Sequence, residues 1–230
     1  PRPHSPMKAL LLLALGALVS CRRYADFDLP PPGPSPAYEL NWRAEAQPSI
    51  PRAGALDVLN PSVVTWQGRF LNLYSRFDGQ RWDTVAAFSS DGHHWEPPTL
   101  VLSPALPWEG NYIAANGALI EHGGELLYLY QAGPKGRNVL GLARSRDGRQ
   151  WRKEPSPVLT AGPRMSWDEL SLGDPYLWKA GGYLYVCYLG EDRARRQRLG
   201  LARSRDGVLW EKQRASPILE LGGAGDFDEN

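Results

Sequence analysis

Short apolar runs separated by turn-forming residues recur along residues 51–230. In each unit an apolar segment leads into a glycine-containing turn, and a second apolar run follows, as at residues 126–130 after Gly123-Gly124. A third run then ends in an Asp-Gly turn that leads to a short outer segment. Runs of this length bounded by glycine are typical of strands rather than helices. The pattern predicts four antiparallel strands in every unit.

The units are repeats of one another. Each Asp-Gly turn is followed by a tryptophan, and Trp95, Trp151 and Trp210 lie at steps of 56 and 59 residues. Repeats of about 50 to 60 residues built from short strands are typical of β-propeller blades. We predict a structural role for the turns, because three copies far from one centre cannot form one catalytic site. The blades are predicted at about residues 51–106, 107–162 and 163–222, with the start of a fourth at 223–230.

Composition narrows the class of protein further. Glycine and proline, 24 and 21 of 230 residues, disfavour long helices, while 42% hydrophobic residues suffice for a core. A net charge of +1 gives no field to hold a polyanion, so nucleic acid is not an expected partner. The 2 cysteines form no Cys-x-x-Cys or Cys/His cluster, and we predict no metal site and no cofactor.

The amino-terminal part of the sequence predicts a targeting signal followed by a linker. Residues 9–20 are apolar but shorter than the roughly 20 residues of a membrane span, which indicates a secretory signal within residues 1–20. The sequence ending at Cys21 resembles the lipobox of bacterial lipoproteins, which implies acylation of Cys21 and anchoring to a membrane of the cell envelope. A plain signal peptide with an incidental cysteine is the alternative. Residues 21–50 are predicted to be a proline-rich linker and entry segment.

Polar residues at the blade openings are the candidate functional positions. The first strand of each propeller blade lines the central channel, so residues near the starts of these strands converge. Asp57 and Asn60 hold such positions in the first unit, Asn116 in the second and Asp174 in the third.

The Ser-x-Asp-Gly-x-x-Trp turn and the Asp-Pro pair at a channel strand resemble those of the five-bladed propeller glycoside hydrolases. These are the invertase, levansucrase and arabinanase group, families 32, 68 and 43, and the mannoside phosphorylases of family 130 are also similar. The resemblance implies an all-β, five-bladed β-propeller of four-stranded antiparallel blades, of which about three lie in this chain. It also implies an oligo- or polysaccharide as the partner.

The resemblance assigns catalytic roles to two carboxylates. Asp174 resembles the carboxylate that fixes substrate and tunes the acid, although Gly173 stands where invertases have arginine. Asn60 stands where hydrolases have aspartate, so Asp57 is the candidate base or nucleophile. The general-acid glutamate is expected beyond residue 230 unless Glu169 or Glu229 serves. Cleavage of a glycosidic bond needs one protonated and one ionised carboxyl group.

Six residues are candidates for binding the saccharide: Asn60, Asn116, Trp108, Tyr112, Asp168 and Glu169. Amides hydrogen-bond sugar hydroxyls, and aromatic rings pack on sugar faces. Each has a structural alternative. The tryptophan and tyrosine suit an inter-blade core, the amides can satisfy backbone groups, and Asp168-Glu169 can be a repeated structural turn.

Three functions remain open from the sequence: a glycoside hydrolase, a carbohydrate-binding propeller without catalysis, and a glycoside phosphorylase. The amides Asn60 and Asn116 suit binding without catalysis, whereas a phosphorylase needs basic residues for phosphate. A basic run at residues 193–198 is interpreted as a solvated hairpin, with contact to an anionic sugar as the alternative.

Overall fold

A computed structural model describes residues 24–31, 43–50, 52 and 54–226. The predicted signal segment, the predicted acylation site Cys21, much of the proline-rich linker and residues 227–230 lie outside the described residues. In the part described, no helix has the length and apolar character that crossing a membrane requires.

The regular secondary structure of the described chain is β-strand, as predicted, apart from a short 3₁₀ helix at Pro107–Glu109. A first blade contains β2 (Asp57–Trp66), β3 (Arg69–Phe77), β4 (Trp82–Ser89) and β5 (Thr99–Leu102). A second contains β6 (Ile113–His122), β7 (Glu125–Gly133), β8 (Val139–Ser145) and β9 (Arg152–Lys153). A third contains β10 (Ser171–Ala180), β11 (Tyr183–Glu191), β12 (Gln197–Ser204) and β13 (Trp210–Gln213). Neighbouring strands within each blade are antiparallel, and β1 (Tyr24–Ala25) pairs in parallel with β13.

Strand β7, the second strand of the second blade, shows how neighbouring blades pack together. Leu126, Tyr128 and Tyr130 pack into the core shared with the first blade. The alternate residues Leu127 and Leu129 pack into the core shared with the third blade. Successive side chains of a strand point to opposite faces, so a strand between two blades is apolar at nearly every position. This is why β7 has no polar face between residues 126 and 130.

The Asp-Gly turns are structural, as predicted. In the second blade Asp147 Oδ1 accepts hydrogen bonds from the backbone N–H groups of Arg149 and Gln150, both at 2.8 Å. The indole N–H of Trp151 donates to the carbonyl of Gly148 at 3.1 Å. The same contacts recur in the first and third blades. The aspartate therefore closes the turn and the tryptophan fastens it to the blade.

These turns predict a loss of stability in acid. The backbone N–H groups of Gln150 and Arg149 donate to Asp147 and hold its pKa below the usual value. The backbone N–H of His94 likewise lowers the pKa of Asp91. A carboxyl whose pKa is lower in the folded state stabilises the fold at neutral pH and loses that contribution as pH falls through the folded-state pKa. We expect the melting temperature to decrease at pH values below about 4. Thermal melts from pH 7 to pH 2.5 measure it.

The control for the acid prediction replaces the three turn aspartates with asparagine. Asparagine still accepts the backbone hydrogen bonds but does not titrate. The triple variant Asp91→Asn/Asp147→Asn/Asp206→Asn should show a flatter dependence of melting temperature on pH. An unchanged slope would assign the acid sensitivity to other carboxyl groups.

Candidate functional site

The first strand of every blade carries the same irregularity. The pairing register shifts between Leu59 and Ser62 in β2, between Ala115 and Ala118 in β6, and between Gly173 and Tyr176 in β10. The residues inside these three bulges with a positive φ are Asn60 at 53°, Asn116 at 50° and Asp174 at 45°. Asparagine and aspartate tolerate this left-handed conformation better than other side chains. A bulge re-aims a side chain, and here it does so at equivalent positions of three blades.

The three re-aimed side chains meet in one hydrogen-bonded group, which we call the central cluster (Asn60, Asn116 and Asp174). The amide nitrogen of Asn60 donates to Oδ1 of Asn116. Asn116 Nδ2 donates to Asp174 Oδ1 at 2.7 Å. The sequence placed all three residues at blade openings, and the fold joins these openings in space.

Two residues that the sequence analysis missed hold Asn116 in place. Gln131 Oε1 in β7 accepts a second hydrogen bond from Asn116 Nδ2 at 2.8 Å, and Ser75 Oγ in β3 accepts one from the Asn116 backbone N–H at 2.9 Å. Gly173 makes room for Gln131, because a Cβ at that position would lie 2.8 Å from Gln131 Oε1. No motif marks Gln131 or Ser75, since their roles depend on the strand register.

The hydrogen bonds decide which groups remain for a ligand. Both N–H bonds and the oxygen of the Asn116 side chain are already used within the cluster. Asp174 Oδ2 has no hydrogen-bond partner among the described residues. The same holds for Oδ1 and the second N–H of the Asn60 side chain. Both side chains are exposed. They offer hydrogen-bond acceptors beside a donor, which suits hydroxyl groups.

The predicted base or nucleophile, Asp57, lies outside this hydrogen-bonded group. It begins β2 three residues before Asn60, and its Oδ1 accepts from the Val58 backbone N–H at 2.9 Å. Three residues of strand span about 10 Å. Asp57 and Asn60 therefore share one end of the first blade, and no hydrogen bond joins them in the described chain.

The structure corrects the prediction that Asp168 binds substrate. Its side chain is 2% exposed and accepts from Lys212 Nζ at 2.5 Å and from the Tyr188 hydroxyl at 3.2 Å. Fifty-nine residues earlier, Glu109 makes the equivalent contacts with Lys153 and Tyr130. These are buried structural ion pairs of the second and third blades, so the Asp168 side chain is not open to a ligand, while the repeat of Asp168-Glu169 at residues 228–229 lies outside the described residues.

The two aromatic candidates, Trp108 and Tyr112, contact residues outside the central cluster. The Trp108 ring lies 6.3 Å from the Tyr130 ring in the core between the first two blades, and its indole N–H donates to the Pro155 carbonyl at 3.1 Å. The Tyr112 ring lies 5.1 Å from Lys135 Nζ. Trp108 is therefore a half-buried residue that packs against this core, and its role in substrate binding stays a prediction.

Glu169 is held as an ionised partner of neighbouring groups. Its Oε2 accepts from the Met165 backbone N–H at 2.8 Å and from Arg193 Nε at 2.9 Å. The Met165 hydrogen bond, with Arg193, holds the pKa of Glu169 below its usual value. A general acid must carry a proton at the working pH, so this environment is unsuited to that role. Glu229 lies outside the described residues.

Among the described residues, no group of three or more His, Cys, Asp or Glu side chains is arranged to hold a metal ion. A groove of about 990 Å³ lies between residues 154–163 and the hairpin of β12 and β13, and no residue of the central cluster lines it.

The comparisons with known proteins agree with this architecture. The chain matches the family model described as the glycosyl hydrolases family 32 N-terminal domain over residues 65–220. A family 117 glycoside hydrolase of the marine bacterium Zobellia galactanivorans is similar with a TM-score of 0.65, 18% identity and coverage of 74% of this chain and 59% of its own. A family 32 β-fructofuranosidase of Bombyx mori is similar with a TM-score of 0.60, 25% identity and coverage of 75% and 37%.

A third similar structure is the sucrose-6-phosphate hydrolase of Lactobacillus gasseri, with a TM-score of 0.58, 17% identity and coverage of 67% of this chain and 33% of that one. The chain therefore spans between about a third and three fifths of the length of these relatives. No curated protein matches the chain. The comparisons confirm the predicted all-β propeller class, and the number of blades in the whole ring stays a prediction.

Proposed function

Because this chain belongs to the family of the glycosyl hydrolase family 32 N-terminal domain, we propose that it binds an oligo- or polysaccharide at the central cluster and hydrolyses a glycosidic bond there. The observation that carries the proposal is the hydrogen-bonded group of Asn60, Asn116 and Asp174, one residue from each blade. A ligand that reaches the cluster meets an exposed carboxylate oxygen and an exposed amide side by side.

In the proposed chemistry Asp174 fixes the sugar. Its second oxygen accepts a hydrogen bond from a sugar hydroxyl, and Asn60 donates to or accepts from a neighbouring hydroxyl. Asp57 then acts as the base that takes a proton from water, or as the nucleophile that attacks the anomeric carbon. A protonated glutamate from outside the described residues gives its proton to the leaving oxygen.

A second function, saccharide binding without hydrolysis, is favoured by one specific observation. The first-blade member of the central cluster is the amide of Asn60, which cannot act as a base or nucleophile. Asp174 is the one carboxylate within the cluster. The two functions share the binding site and differ in whether Asp57 and a general-acid glutamate carry out hydrolysis there.

We expect Asn60→Gly to weaken saccharide binding by about 10-fold, because hydrogen bonds to a ligand are worth about 0.5–1.5 kcal/mol each and Asn60 supplies up to two. Glycine adopts the positive φ of residue 60, so the backbone is expected to keep its conformation. Isothermal titration calorimetry of the full chain with neutral oligosaccharides measures the dissociation constant. Release of reducing sugar measures hydrolysis.

The matched control is Gln67→Gly. Gln67 is also an exposed amide with a positive φ of 50°, at the opposite end of β2. Its replacement is expected to leave the dissociation constant within twofold. If both variants lose the same affinity, or if Asn60→Gly loses none, the saccharide does not bind at the central cluster.

A further inference from the structure

Three loops of the second and third blades lie at the end of the blades where β10 begins. Asn138, which ends the loop after β7, donates its backbone N–H to Ser171 Oγ at 3.0 Å, and its carbonyl accepts from Leu172 N at 2.9 Å. At the same end Ser171 pairs with Glu191, which precedes the hairpin between β11 and β12. We call residues 134–138, 161–170 and 191–198 together the cationic rim.

The cationic rim concentrates positive charge. It holds seven cations and four carboxylates, an excess of three in a chain whose net charge is +1. The cations are Lys135, Arg137, Arg164, Arg193, Arg195, Arg196 and Arg198, and the carboxylates are Asp168, Glu169, Glu191 and Asp192. Two residues outside the rim also pair with it, Lys212 with Asp168 and Glu220 with Arg198, and because their charges are opposite the local excess stays at three. The remainder of the chain is net negative.

Three of these cations are engaged by the rim's own carboxylates: Arg193 with Glu169, Arg195 with Glu191 and Arg198 with Asp192. Lys135 lies over the Tyr112 ring. Arg137 and Arg196 are exposed, and neither forms an ion pair within the part of the chain that the structure describes. Their guanidinium groups are therefore available to a ligand.

The hairpin that carries Arg196 has a defined shape. Asp192 Oδ1 accepts from the backbone N–H groups of Ala194 at 2.7 Å and of Arg196 at 3.1 Å. Arg195 adopts a positive φ of 66°, and its guanidinium would lie 3.5 Å from a Cβ at Gly136 in the neighbouring blade. The loops of the two blades thus meet, and the rim is one continuous surface.

The rim is within reach of a ligand at the central cluster. Ser171, to which the loop after β7 is bonded, precedes Asp174 by three residues of β10, about 10 Å of strand. We propose that the saccharide bound at the central cluster is acidic, and that its carboxylate or sulfate groups bind the cationic rim through Arg137 and Arg196. The planar guanidinium donates paired hydrogen bonds to such oxyanions. This inference rests on the proposed function and names its substrate class.

The test compares three oligosaccharides of equal length on the full chain: an oligogalacturonate, a sulfated oligogalactan and a neutral oligogalactan. We expect at least one acidic probe to bind 10-fold or more tightly than the neutral one at low salt, and to weaken as salt rises. Arg137→Gln/Arg196→Gln should lose at least 10-fold for that acidic probe and less than twofold for the neutral one. The two acidic probes distinguish carboxylate from sulfate recognition.

The control is Arg146→Gln/Arg152→Gln, which removes the same charge from exposed residues around the Asp-Gly turn of the second blade. It should leave all three affinities within twofold. The inference is overturned if neither acidic probe is preferred, if the Arg137/Arg196 variant binds normally, or if both variants lose equally, which would indicate a general effect of charge.

Failure of the inference and failure of the proposed function give different results. If the neutral probe binds, weakens with Asn60→Gly and is preferred over both acidic probes, the central cluster is the saccharide site and the rim inference is wrong. If acidic binding depends on Arg137 and Arg196 but not on Asn60 or Asp174, the rim is an anion site and the proposed central site is wrong.

Discussion

Replacing Asp174 with asparagine is expected to lower kcat/KM for hydrolysis of the saccharide by about 10- to 150-fold, because a hydrogen bond to a charged group is worth about 1.5–3 kcal/mol. The substitution removes the negative charge of the central cluster but retains an oxygen that can accept the hydrogen bond from Asn116. Asparagine also tolerates the positive φ of 45° at this position. The fold should therefore survive, and the loss should be chemical.

The division of the loss between kcat and KM identifies the role of Asp174. A rise in KM alone would indicate that its carboxylate only fixes the sugar, whereas a fall in kcat would indicate stabilisation of the transition state. Asp26→Asn, at an exposed carboxylate on the amino-terminal segment, is the control and should leave both constants unchanged. Full activity of Asp174→Asn would exclude the central cluster as the reaction site.

Asp57→Asn decides between the two functions considered for the cluster. If Asp57 is the base or nucleophile, its replacement should abolish hydrolysis while the dissociation constant changes little. Binding without any hydrolysis by the unaltered full chain would favour the carbohydrate-binding function.

Replacing Lys212 with methionine is expected to lower the free energy of unfolding by about 3–5 kcal/mol, the usual effect of removing one partner of a buried ion pair. Lys212 is 7% exposed, and its Nζ lies 2.5 Å from Asp168 Oδ2. Without the ammonium group, the donors left to Asp168 among the described residues are the hydroxyl groups of Ser166 and Tyr188. Chemical denaturation followed by tryptophan fluorescence measures the change.

Two further variants test this explanation. Lys179→Met removes a similar pair with Glu121, but both side chains there are nearly half exposed, so the loss should be about 0–1 kcal/mol. Asp168→Asn/Lys212→Met removes the buried charge as well and should recover part of the stability. If Lys212→Met costs no more than Lys179→Met, the buried pair does not stabilise the blade.

Much of the fold can be predicted from the sequence because its determinants are local. The Asp-Gly turns carry their own hydrogen-bond acceptors, and the apolar length of β7 reflects a strand buried on both faces. The spacing of the repeats by itself also places Asn60, Asn116 and Asp174 at equivalent positions of the three blades. Local chemistry repeated three times is sufficient to identify strands, turns and blade openings.

The tertiary structure alone decided which polar residues meet. Asp168 and Asp174 are six residues apart, yet one is paired with Lys212 inside the third blade and the other is exposed in the central cluster. The difference arises because the bulge in β10 re-aims the side chain of Asp174 and because Lys212 and Tyr188, the partners of Asp168, come from other strands of the blade. Gln131 and Ser75 likewise reach Asn116 only through the pairing register. Side-chain direction at a bulge and contacts across strands depend on the packed neighbours, which are distant in sequence and therefore leave no local signal.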